Sequence, residues 1–138
     1  MTTIEFCNKY TPCKGGREFA LNHKTMSEVW NNCRRVDWLF WILEKHKPLE
    51  KTQAVTLAIA FAEMSLKYVP EGENRPRLAI DTAKAWLENP NEENRAADAA
   101  GAAARAADAA YSADAAGAAG AARAIQCDVM RWIITNPF

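Results

Sequence analysis

Long apolar runs are missing from this chain of 138 residues. Nowhere do about 18 apolar residues follow one another without charge, and Met1 to Tyr10 contains no run of about seven. Membrane spanning and secretion are therefore not expected, and the protein is read as cytoplasmic, or as residing in the host cytoplasm if it is phage encoded. A charge of either sign is missing as well: 17 basic and 17 acidic side chains cancel. That balance argues against nucleic acid or a membrane surface as partner, since both recruit proteins through positive charge.

Histidine is scarce, with only His23 and His46. The four cysteines, Cys7, Cys13, Cys33 and Cys127, match neither a CxxC pair nor the Cys and His spacing of a zinc site. No metal and no cofactor are expected, and reduced thiols are the simple reading. A Cys7 to Cys13 bridge would fit only an oxidising compartment. The run Cys13-Lys14-Gly15-Gly16 lacks both the GxxxxGK[ST] spacing and the preceding strand of a phosphate loop. No Ser, His and Asp arrangement and no paired-carboxylate motif can be placed, so the chain is not expected to be an enzyme.

What is abundant is alanine, with 27 residues, inside a composition that is 49% hydrophobic. This suits a single all-α domain, a bundle of about six helices. Met1 to Gly16 has mixed polarity, Pro12 and the Gly15-Gly16 pair, and is read as an irregular arm through residue 15. A short helix near Arg17 to Asn22 follows, with Phe19, Ala20 and Leu21 inward. Thr25 or Ser27 caps the next, which carries Glu28 in its first turn and buries Val29 and Trp30.

Arg35 to Lys45 places Val36, Leu39, Phe40 and Leu43 on one helical face, widened by Trp38, Trp41 and Ile42, so this helix should be almost wholly buried. Pro48 stops it. A further helix from Lys51 to about Lys67 aligns Val55, Ile59, Ala62 and Leu66. Pro70 and Gly72 mark a turn, after which Pro76 sits in the first turn of a helix whose inner face is Leu78, Ala79, Ala83, Trp86 and Leu87. Trp30, Trp38, Trp41, Trp86 and Trp132 all read as core.

From Arg95 to Ala124, 19 of 30 residues are alanine and none is leucine, isoleucine, valine or phenylalanine. Alanine has the highest helix propensity. Asp98, Gly101, Arg105, Asp108, Ser112, Arg123 and Gln126 share one narrow sector, and methyl-sized residues fill most of the remaining circumference. The alanine-rich region 91–135 is thus expected to be a central helix around which the tryptophan-rich helices wrap. Unbroken, it would run about 65 Å, against about 37 Å for a compact domain of this size. It therefore breaks near residues 112–120 or protrudes, and a protruding helix would imply a homodimer rather than a monomer.

Asp114 lies opposite the polar sector. Either it caps a helix start or lies at an edge, or it forms a buried ion pair lining a cleft, with Arg34, Arg35, Arg75 or Arg77 as partner. Arg35, Asp37 and Trp38 form one candidate binding cluster and Glu73, Arg75 and Arg77 a second. Arginine offers a planar fork that fits a carboxylate or phosphate, so a small anionic ligand held beside Trp38 or Trp41 is one reading. The other is that these charges tie loops to the helical body.

Cys13, then Gly16-Arg17-Glu18, Arg35-Val36-Asp37-Trp38-Leu39-Phe40-Trp41, the run Tyr68-Val69-Pro70-Glu71-Gly72-Glu73-Asn74-Arg75-Pro76-Arg77-Leu78-Ala79-Ile80, then Ala83 and Trp86, follow in this order ahead of the aspartate-studded alanine tract. In this the chain resembles the Imm-5-like immunity proteins encoded by bacteria and phages, over most of its length from Cys13 to about Ile133. The resemblance implies a binding protein that neutralises a toxin or a host defence effector. A sponge for a nucleotide signal is the alternative to a protein inhibitor.

Overall fold

A computed structural model describes residues 1–89 and 119–138. The described residues are all-helical, with a single bridge between Thr2 and Thr25 and no β-strand. The helices are α1 (Thr3–Tyr10), α2 (Lys14–Leu21), α3 (Met26–Asn32), α4 (Val36–His46), α5 (Lys51–Ser65), α6 (Arg75–Glu88) and α7 (Ala119–Ile133), with a 3-10 turn at Leu66–Tyr68 after α5. The central alanine-rich helix expected from residue 91 onward lies outside the described residues as far as residue 118. Its proposed break falls almost wholly in the same stretch.

Where length suggests one domain, packing divides the chain into two compact units: Met1–Leu49 together with Arg123–Phe138, and Glu50–Ala122. The reason lies in the short helices at the start of the chain, which are rich enough in large side chains to build a core of their own.

The irregular arm expected over residues 1–15 is instead a helix and the start of a second. Thr2 caps α1 by accepting a hydrogen bond from the Glu5 backbone N–H at 3.2 Å, and the Glu5 carboxylate accepts from the Thr2 N–H at 2.7 Å. This reciprocal box satisfies two otherwise orphaned donors, and the N–H of Thr2 holds the Glu5 carboxyl below its usual range. Phe6 and Cys7 are buried by it. The helix ends at Thr11, whose φ of 44° is left-handed, and the Thr11 N–H donates to the Cys7 carbonyl at 3.1 Å. α2 begins earlier than expected, at Lys14, and takes Gly15 and Gly16 into its first turn.

Thr25 caps α3 through the Glu28 N–H at 3.2 Å, and α3 buries Met26, Val29 and Trp30. α4 occupies the expected span but is less buried than its composition suggests. Leu39, Ile42 and Leu43 are interior, Trp38 and Trp41 are half-buried, and Phe40 is exposed. Phe6 anchors an aromatic cluster, 6.0 Å edge-on from Trp41 and 5.9 Å from Phe138, while Phe138 stacks on His46 at 4.6 Å.

The C-terminal residues close this unit. Cys127, Met130 and Ile134 form the buried stripe of α7 and its end. Arg131 donates through Nε to the Trp30 carbonyl at 2.8 Å and through its terminal nitrogen to the Cys33 carbonyl. Those are carbonyls at the end of α3, which has no further turn to satisfy them. Asn136 adds a bond to the Ser27 hydroxyl at 2.8 Å. Trp132, expected in the core, is 87% exposed, because the register that buries Met130 turns it outward.

In the second unit, α5 and α6 pack as a helical hairpin. Val55, Ile59 and Ala62 meet Ile80, Ala83 and Trp86, and full burial of a valine or isoleucine side chain contributes roughly 1.5–3 kcal/mol. Glu50 and Gln53 form the capping box of α5, and Pro76 stands in the first turn of α6 as expected. Gly72, with φ of 87°, makes the turn between the helices. Leu78, expected on the inner face of α6, is 63% exposed, and Ile80 takes that place. Two residues along a helix is about 200° of rotation, so both cannot face the same neighbour.

Candidate functional site

The first unit contains a cavity of about 360 Å³. Phe6, Phe19, Met26, Val29, Trp38, Trp41 and Ile42 supply its apolar lining, joined by Ala20, Pro12 and Gly16. Among the described residues its charged lining is Arg35 and Asp37, and two thiols, Cys13 and Cys33, join the wall. α1, α2, α3 and α4 each contribute.

Arg35 precedes α4 and Asp37 lies in its first turn, where a carboxylate is favoured by the helix dipole. Arg35 Nε donates to Asp37 Oδ1 at 2.9 Å and its terminal nitrogen donates to Oδ2 at 2.6 Å. Both side chains are about half exposed, 51% and 56%. The pair is therefore screened by solvent and is worth at most about 1 kcal/mol. Hydrogen bonding to Arg35 holds the Asp37 carboxyl below its ordinary range, and the same bonds raise Arg35.

The guanidinium also lies over the Trp38 ring, 4.8 Å from its centre. Trp38 is tilted against Phe19 with ring centres 5.7 Å apart. At Gly15 an added Cβ would touch the Trp38 ring at 3.6 Å, so this glycine lets α2 approach the indole closely.

Cys33 and Arg35 exchange contacts at the cavity edge. The Arg35 N–H points to Cys33 Sγ at 3.4 Å, and Sγ lies 3.4 Å from the Arg35 carbonyl. Burial pushes the Cys33 thiol up and the Cys127 thiol up to about 11. Both are therefore protonated and inert at neutral pH. Cys13 is the exposed thiol, while Cys7, Cys33 and Cys127 are buried, and all four are free.

The structure thus joins Arg35, Asp37 and Trp38 in one cluster, as the sequence suggested, and places it on a cavity. Glu73 and Arg75 also meet, but at the surface of the second unit: Arg75 Nε lies 2.9 Å from each Glu73 carboxylate oxygen. Hydrogen bonding to Arg75 lowers the Glu73 carboxyl to about 2. Arg77 is exposed in the first turn of α6. Arg75 and Arg77 belong to the second unit and Arg35 to the first. Asp114 lies outside the described residues.

The contribution of Phe6, Pro12 and Cys13 is hidden in the sequence, because Pro12 and the Gly15-Gly16 pair give their segment the look of an irregular arm. The signal was present in Thr2 and Glu5, an N-terminal capping pair three residues apart. Among the described residues, no group of three His, Cys, Asp or Glu side chains is placed to hold a metal, and no helix is long and apolar enough to cross a membrane. No protein-family model, no curated protein and no solved structure matches the chain.

Proposed function

We propose that the chain is a non-enzymatic binding protein whose first unit seats a small, largely apolar molecule in the cavity beside Arg35 and Trp38. The observation that carries this reading is the cavity. Its volume of about 360 Å³ falls in the range of small-molecule sites, and an aromatic and aliphatic wall with a few polar groups at the edge is the usual make-up of such sites. Its four aromatic rings and aliphatic side chains offer a largely apolar molecule a place to leave water.

Titration with a panel of small aromatic compounds and nucleotides tests it, with indole fluorescence and thermal unfolding as readouts. A ligand at 100 times its dissociation constant adds about 2.7 kcal/mol of stability. Ala20→Phe, which fills the cavity from α2, should abolish the shift. A panel without any response would end this reading.

A second reading, an immunity or anti-defence inhibitor that sequesters a toxin or host effector, is favoured by the outer face of α7. Ile125 and Trp132 stand seven residues apart on that face and are both exposed, and tryptophan is the side chain most enriched where proteins bind one another tightly. A pull-down from the native host with the natural chain and Trp132→Ser distinguishes it: a genuine partner is recovered by the first and lost with the second.

A further inference from the structure

The edge of the cavity carries a charge arrangement that chooses among ligands. Asp37 occupies the Nε side of the Arg35 fork with two hydrogen bonds at 2.9 and 2.6 Å. A carboxylate or phosphate approaching Arg35 must either displace Asp37 or share the guanidinium with it, like charge beside like charge. A cation meets the converse obstacle in Arg35. Among the described residues no other charged side chain lines the cavity, so nothing deeper in that wall would repay an ion for losing water. The rings of Phe6, Phe19, Trp38 and Trp41 instead offer faces and edges to a flat apolar body.

Building on the small-ligand reading, we infer that the site takes an uncharged aromatic molecule, and that Asp37 sets this preference by holding Arg35 in an internal pair. Such a molecule leaves the pair intact, stacks among the rings, and can direct one hydroxyl or carbonyl group toward the remaining donors of Arg35. The nucleotide-like anion expected from the arginine content is disfavoured, because the arginine is already neutralised by its neighbour two residues on.

Three probes with the same ring system test this: 2-naphthol, naphthalene-2-sulfonate and naphthylmethylammonium, neutral, anionic and cationic at pH 7. Dissociation constants come from indole fluorescence. A second readout is the rate at which iodoacetamide alkylates Cys13, the exposed thiol on the cavity wall, which a seated probe slows.

For the natural chain, 2-naphthol should bind about fivefold tighter than either ion, the scale set by a half-exposed charge pair. The margin over the ions should shrink with added salt. Asp37→Asn should reverse the order of naphthol and sulfonate, and Arg35→Gln should do the same for naphthol and the ammonium. Equal or tighter sulfonate binding by the natural chain, or an unchanged order in Asp37→Asn with its circular dichroism intact, overturns the role given to Asp37. Failure of all three probes to bind, with Cys13 unprotected, overturns the small-ligand reading itself.

Discussion

Arg131 donates through Nε to the backbone carbonyl of Trp30 at 2.8 Å, across 101 residues of sequence. It is 19% exposed, and Asp128 receives another of its nitrogens at 3.1 Å. Removing it leaves the carbonyls of Trp30 and Cys33 without their donors. Arg131→Ala should therefore destabilise the protein by about 1.5–3 kcal/mol, the range for hydrogen bonds to a charged group. Denaturant unfolding followed by near-UV circular dichroism measures this. Arg131→Lys should recover only part, since an ammonium on a flexible stem does not span two carbonyls as a planar fork does.

Thr11 holds a left-handed conformation at the end of α1, which is costly for a β-branched residue. Thr11→Gly should raise stability by about 1 kcal/mol, the relieved strain exceeding the added freedom of the unfolded chain. A thermal melt that moved downward would contradict this.

The tryptophans divide sharply. Trp30 is fully buried and Trp132 is almost fully exposed. Trp30→Ala should cost about 3–5 kcal/mol, whereas Trp132→Ala should change stability by no more than about 0.5 kcal/mol. Urea midpoints of the two variants, compared at equal slope, decide it.

Glu73 is held at about 2 by Arg75. A depressed carboxylate stabilises the folded state above its unfolded pKa, so this contribution is complete at neutral pH and fades as pH falls from about 4.5 toward about 2. In Arg75→Ala the Glu73 carboxyl should titrate higher, toward its ordinary value of 4.5 without reaching it, because the backbone N–H of residue 75 still donates to it, as read from its side-chain carbon shift in NMR. Stability at pH 7 should scarcely change, because both groups lie at the surface.

How much of this was legible beforehand differs by element. α4 and α6 could be read directly, since Pro48 and Pro76 bound them and their apolar residues recur at helical spacing. α1 was obscured by Pro12 and the paired glycines downstream, although Thr2 and Glu5 already carried its cap. In the last helix, polarity pointed the wrong way: Arg131 turns inward and Trp132 outward. An arginine can be drawn inside when distant carbonyls await it, and no local pattern contains that information. The Arg35, Asp37 and Trp38 cluster was legible because its members are near neighbours in sequence. The space beside it was not, because a cavity depends on how four helices fail to fill a volume.

The division of the chain into two units has a consequence for biosynthesis. The unit bearing the cavity is discontinuous, its first 49 residues completed by Arg123–Phe138. During translation those opening helices emerge without the Arg131 clasp and must wait until all of residues 50–122 have left the ribosome. The hairpin of α5 and α6 draws on neighbours close in sequence and can assemble earlier, so the part made first is the part finished last.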